Sequence, residues 1–200
     1  MATNFPTNID TFTDQTSSDL ITSAKWNNLQ DAIEALEVKV GADNSTVTTS
    51  HDYKLAKLAT IGKIKARAYR NAAQNIDPGP TKILIDTISF NTESVIDIAN
   101  SRIIPNLPGY YVVMGSVGAS DVPDGRLVNA MIHKNGVWAS YGTIDHQGGA
   151  GRSSSSVSDL IYMNGTTDYL ELFAHNSHSS ALALYVGQPI QNRISIVGPF

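Results

Sequence analysis

The sequence holds 200 residues with no cysteine, 16% charged residues and a formal net charge of −4. Without cysteine, disulfide frameworks and thiolate metal sites are excluded; without a basic block, the phosphate-neutralising surface that nucleic-acid binding requires is missing. No apolar run of about 18 residues occurs, so no membrane insertion is expected, and residues 1–10 carry neither region of a secretory signal.

In chain order, residues 1–21 contain Pro6 and many Thr, Ser, Asn and Asp, with Phe5, Ile9 and Phe12 isolated among them. Such a segment buries too little apolar area to offset its own ordering entropy. It reads as an extended arm that orders on a partner, or as a loose terminus. From Thr22 the pattern changes. Trp26, Leu29, Ile33, Leu36 and Val40 recur at spacings of 3, 4, 3 and 4, which is the a/d seam of a coiled coil. Thr22 or Ser23 suits the N-cap and Gly41 the C-terminal stop. The predicted helix is too short to hold a coiled coil alone. The alternative is an amphipathic helix packed on its own domain, but no second long helix follows to cover it. After a turn at Ala42-Asp43-Asn44-Ser45, Thr49 or Ser50 caps a weaker stretch in which Leu55, Leu58 and Ile61 recur. Residues 22–63 are therefore read as a trimerising coiled coil and neck.

From Ile64 the period becomes two. Strands are predicted at 64–71, 82–90, 94–98, 102–104, 109–118, 126–134, 137–143, 157–163, 169–176, 181–186 and 193–197. Turn residues separate them: Pro78-Gly79-Pro80, Pro108-Gly109, Asn135-Gly136 and Asn164-Gly165. Asn-Gly between alternating strands is a strong hairpin signal. Many short strands without intervening helices indicate a β-sandwich of jelly-roll type. The predicted fold class is thus mainly β: a jelly-roll head over 64–200, preceded by a short trimeric α-helical coiled coil and an extended N-terminal arm.

The head resembles the complement C1q and tumour necrosis factor-like jelly rolls. Arg102-Ile103-Ile104-Pro105 with Pro108-Gly109-Tyr110-Tyr111-Val112 is similar to that family's short strand, proline turn and Gly-Tyr-Tyr opening of a central strand. Met131 to Gly136, Val157 to Leu160, Asp168 to Leu172 and Ser195 to Phe200 resemble later strands in the same order. The resemblance implies a homotrimer, with Tyr110 and Tyr111 near the core or the threefold axis. The leader resembles another pattern. Phe5-Pro6-Thr7-Asn8-Ile9-Asp10-Thr11-Phe12, then Ile21 to Asn27, Asp31 to Glu37 and Val40-Gly41, looks like the start of phage tail, baseplate and fibre proteins. That resemblance implies a virion location, with residues 1–21 anchoring the chain to other virion proteins.

No catalytic motif is present, and no enzyme activity or cofactor is expected. Gly148-Gly149-Ala150-Gly151-Arg152-Ser153, leading into Ser154, Ser155 and Ser156, reads as a mobile surface loop rather than a phosphate cradle. His175-Asn176-Ser177-His178 and the carboxylates Asp121 and Asp124 read as polar turns rather than metal sites. What remains is recognition. Trp138, Tyr141, His146, Arg152, His175 and His178 lie in or beside two stretches, 140–156 and 175–180, read as loops. Aromatic and polar side chains there suit contact with a host-surface glycan or protein. The trimerising residues are Trp26, Leu29, Ile33, Leu36, Val40, Leu55 and Leu58. The expected role is an outward-facing trimeric virion spike or fibre; the alternatives are a capsid decoration protein without a receptor role, a bacterial surface adhesin, or a polysaccharide depolymerase.

Overall fold

A computed structural model describes residues 22–41, 46–143, 149–187 and 191–200. The predicted arm at 1–21, the turn at 42–45 and His146 lie outside the described residues. The chain divides into a unit ending at Ala59 and a unit spanning Thr60–Phe200.

The first unit is helical. Helix α1 spans Ser23–Val40 and helix α2 spans His51–Leu58. Thr22 Oγ1 accepts from the Lys25 amide at 3.3 Å, and Ser50 Oγ from the Tyr53 amide at 3.2 Å. Each cap satisfies one of the four amides that a helix start leaves free. Gly41 ends α1 at φ 82°, ψ 156°, a region open essentially to glycine alone. Neither helix contains a buried residue.

The second unit is a β-sandwich. Its strands are β1 (Ile64–Tyr69), β2 (Asn75–Ile76), β3 (Gly79–Lys82), β4 (Thr87–Asn91), β5 (Ile96–Asp97), β6 (Arg102–Ile103) and β7 (Pro108–Val122). They continue with β8 (Val128–Lys134), β9 (Val137–Tyr141), β10 (Gly151–Asn164), β11 (Leu170–Asn176), β12 (Leu182–Ala183) and β13 (Arg193–Gly198). The first sheet has the order β10-β7-β13-β1-β4 and the second β5-β6-β11-β8-β9, each strand antiparallel to its neighbours. Neighbours distant in sequence sit side by side, as in a jelly roll. Every second side chain faces inward. Ile64, Ala66, Tyr111, Val113, Val157, Ile161, Ile194 and Ile196 from one sheet meet Ile103, Val128, Ala130, Ile132, Leu170, Leu172 and Ala174 from the other. A large side chain buried this way contributes about 1.5–3 kcal/mol. Gly115 leaves room on β7: a Cβ there would lie 2.7 Å from Leu172 Cδ1 and 3.0 Å from Ile132 Cδ1.

Several predicted stretches differ, and the strand expected at 181–186 shortens to β12. The strand expected at 82–90 is interrupted between β3 and β4, where side chains take up backbone groups between isolated bonds to other strands, Ile83 N–H to the Leu172 carbonyl and Asp86 N–H to the Tyr69 carbonyl. Gln74 Nε2 donates to the Lys82 carbonyl at 2.6 Å, Gln74 Oε1 accepts from the Leu84 amide at 3.0 Å, and Arg70 Nη1 donates to the Leu84 carbonyl at 3.0 Å. The strand expected at 94–98 shrinks to β5 behind a 3-10 turn at Thr92–Ser94. The serine run read as a mobile loop belongs to β10, which pairs with β7 from Gly151 to Asn164. Ser153 and Ser155 face inward and are buried. Ser155 Oγ lies 2.9 Å from Asn129 Oδ1 and 3.0 Å from the Thr143 carbonyl, so its hydroxyl is satisfied inside the sandwich.

Candidate interaction surfaces

The a/d seam lies open. Trp26, Leu29, Ile33, Leu36 and Val40 on α1, with Leu55 and Leu58 on α2, are each between 45% and 65% exposed. Large apolar side chains in that row lose free energy to water unless another surface covers them.

A second apolar surface lies on the outward face of the first sheet. On β7, Tyr110, Val112 and Met114 point away from the core, while Tyr111 and Val113 point into it. Tyr110 stands opposite Tyr162 of β10, and Val112 stands between Leu160 of β10 and Val197 of β13. The Tyr110 and Tyr162 rings meet edge to face at 5.4 Å, a geometry that their quadrupoles favour. Tyr110, Met114, Leu160 and Tyr162 are all exposed. Further along the same face, the Arg67 guanidinium lies over the Phe90 ring at 5.1 Å, with its Nε buried and making no hydrogen bond. Tyr111 takes the opposite role. Its hydroxyl donates to the Leu107 carbonyl at 2.8 Å, and burial pushes its pKa up to about 12. The two adjacent tyrosines thus face opposite sides of one sheet. Tyr110-Tyr111-Val112-Val113-Met114 is apolar at both parities, and that is the sequence signal for a strand covered on both faces. Leu160, Tyr162 and Met114 are residues that the sequence reading did not single out.

A third feature is an aromatic group on the outer face of the second sheet. Trp138 and Tyr141 lie on the edge strand β9. His133 stands opposite Trp138, and Met131 opposite Tyr141. The register shifts between these two pairs, so β9 carries one extra residue. Residues three apart on a regular strand face opposite ways; the bulge puts both aromatic rings on one face. Trp138 and Tyr141 meet at 5.5 Å and 84°. His133 stacks on Phe173 of β11 at 3.8 Å and 11°. The imidazole is 4% exposed, and neither ring nitrogen makes a hydrogen bond of good geometry. Burial lowers its pKa below the ordinary range, with the Glu171 carboxylate and the Gly136 backbone pulling the other way.

Among the described residues, Arg152, His175 and His178 do not join this group in one loop. Arg152 lies on β10, with its guanidinium over the Tyr185 ring at 4.3 Å. His175 lies on β11, opposite Asn129. His178 follows β11 in a turn, where its amide donates to Asn176 Oδ1 at 2.8 Å and its Nδ1 accepts from the Ser180 amide at 3.2 Å. Asp124 accepts from the Gly149 amide at 2.8 Å. Among the described residues no three His, Asp or Glu side chains gather as a metal group would require, and no helix is long and apolar enough to cross a membrane.

Two five-stranded antiparallel sheets in this order define the β unit as a jelly roll of the tumour necrosis factor and C1q type. Solved structures share the fold. The chain superimposes on the Eiger tumour necrosis factor of S. frugiperda with a TM-score of 0.51 at 12% identity, covering 68% of this chain and 92% of that one. For murine APRIL at pH 5.0 the TM-score is 0.52 at 10% identity, covering 68% and 98%. For the globular domain of zebrafish complement 1qA it is 0.50 at 10% identity, covering 69% and 98%. No family model matches the sequence, and no curated protein matches it.

Proposed function

We propose that this chain is the subunit of a homotrimeric, non-enzymatic structural protein of a bacteriophage virion. In this reading residues 1–21 anchor it to other virion proteins, the α1 seam and the apolar face of the first sheet hold three copies together, and the head faces outward toward the host-cell surface. The observation that carries the reading is the pair of uncovered apolar surfaces in one chain: Trp26 to Val40 at coiled-coil spacing, and Tyr110, Met114, Leu160 and Tyr162 in register across two strands. A soluble chain leaves two such patches uncovered only at a cost that self-association removes. Jelly rolls of the C1q and tumour necrosis factor kind are trimeric, which supports the number three. The leader's likeness to phage tail and fibre proteins supports the setting.

Multi-angle light scattering at micromolar concentration is expected to give three times the 21.5 kDa chain mass; a monomer mass sinks the trimer. Deletion of residues 1–21 should leave a soluble head that no longer enters particles. Normal incorporation refutes the anchor. Release of reducing ends from host capsule would overturn the non-enzymatic reading.

A further inference from the structure

We propose that Trp138 and Tyr141 form a stacking site for the apolar face of a neutral sugar ring in a surface polysaccharide. This rests on the reading of the head as the part that meets the host, and it names the chemistry of the partner.

Four observations lead there. First, the pairing is built rather than incidental. The β9 bulge overrides the alternation that would separate the two rings, and it does so on an edge strand where neither ring serves the core: Trp138 is 56% exposed and Tyr141 46%. Second, the two rings meet edge to face, 5.5 Å apart at 84°, so their exposed faces stand at a right angle to each other. Third, the base of the corner is rigid. Met131 is fully buried beneath it, and His133 is clamped against Phe173. His133 also keeps two ring nitrogens without a good hydrogen-bond partner, its ring centre 6.4 Å from that of Trp138. Fourth, the nearby charges are committed. Glu171, opposite His133, pairs with Lys82 at 2.5 Å, and Lys134 pairs with Asp168 at 2.9 Å. Among the described residues the corner therefore offers π-faces with the neighbouring charges paired, which suits a neutral pyranose better than a sialic or uronic acid. A nucleobase would also stack, but the net charge of −4 opposes the phosphates that come with it. A single ring contact is weak, and three copies on one particle component raise the affinity through avidity.

The test uses the full chain and saturation-transfer difference NMR. The probes are neutral hexasaccharides of glucose, galactose and N-acetylglucosamine, with sialyllactose and a hyaluronan hexamer as charged counterparts. At least one neutral probe is expected to bind, with transfer concentrated on the protons of one ring face. Trp138→Ala should weaken that binding by roughly tenfold or more, the scale of one lost aromatic stacking contact, and Trp138→Phe by less. Deleting Ala139 removes the extra residue of β9, so binding should fall although both aromatic residues remain. Light scattering on the same samples separates the two readings. A parent chain that binds sugar as a monomer overturns the trimer and leaves the site standing. The site is overturned if no neutral probe binds, if only the charged probes bind, or if Trp138→Ala and the Ala139 deletion bind as the parent does. It is equally overturned if Trp138→Ala lowers the oligomer mass, because the rings then belong to a subunit or protein contact.

Discussion

Burial disfavours the charged form of the His133 imidazole, against the Glu171 carboxylate and the Gly136 backbone, and that gives it a pH signature. Its folded pKa lies below the ordinary value of 6.5, so the unfolded chain takes up the proton first as the pH falls. Stability is complete above the unfolded value and declines as the pH drops from there through the folded one. His133→Phe should flatten that part of the curve. Thermal melts compared at about pH 7.5 and about pH 5 are the check; an unchanged slope would contradict the expectation. Gly165 makes a different kind of demand. Its φ is +74°, and a Cβ would sit 2.5 Å from Pro108 N and 2.6 Å from Leu107 C. Backbone cannot yield as a side-chain tip does, so Gly165→Ala should cost about 3 kcal/mol in denaturant unfolding. The Asn164-Gly165 turn was legible in the sequence because its chemistry is local. The Trp138–Tyr141 corner was not. Alternation assigns residues 138 and 141 to opposite faces, and nothing in Val137-Trp138-Ala139-Ser140-Tyr141 marks the bulge that reverses this. Both residues could be nominated as aromatic, but their meeting depends on the β8 register.

Helix α1 was readable almost to the residue because its signals are also local: a capping threonine, a heptad row and a stopping glycine. Thr22→Ala should lower helix stability by about 1 kcal/mol, read as reduced helical ellipticity on warming. Ile33→Asp places a charge in the middle of the seam and should cut the assembled fraction in sedimentation velocity at micromolar concentration; an unchanged profile would mean that the seam holds no partner. The strands divide differently. β8 and β9 join through Asn135 and Gly136 at φ 55° and 77°, the two positive values a tight hairpin needs, and they were found. The first half of β10 was missed because serine has little strand preference of its own. Ser153 to Ser156 are strand only because β7 pairs with them, and such pairing is a tertiary fact.

At the scale of the whole molecule, three carboxylates fasten loops to strand ends and make part of the stability depend on pH. Hydrogen bonds from the Asn135 side chain and Lys134, with the Asn164 amide, hold Asp168 below the usual carboxylate range. The Asn100 side chain leads for Asp97, aided by Arg102. For Asp86, burial raises the pKa, but the Asn71 and Ala72 amides, the Thr87 hydroxyl and Arg70 together outweigh it. All three folded values lie below the model-compound value of 3.8. Their contribution is therefore complete above the unfolded value and disappears as the pH falls through the folded ones. Asp168→Asn should lower the melting temperature at neutral pH and narrow its gap to the parent in strong acid. A constant gap would show that the carboxylate's charge is not what matters.

Strand β10 has a consequence for the newly made chain. It is the outer strand of its sheet, and from Val157 to Met163 it is rich in apolar residues, the kind of open border on which one newly made chain can template the misassembly of another. Asp159 interrupts that border. It shares its parity with the buried Val157 and Ile161, yet it is charged and exposed. A carboxylate there disfavours pairing with a second strand. Replacing it, as in Asp159→Val, should leave the folded sandwich intact but raise turbidity during refolding, and unchanged turbidity would show that this side chain does not guard the edge.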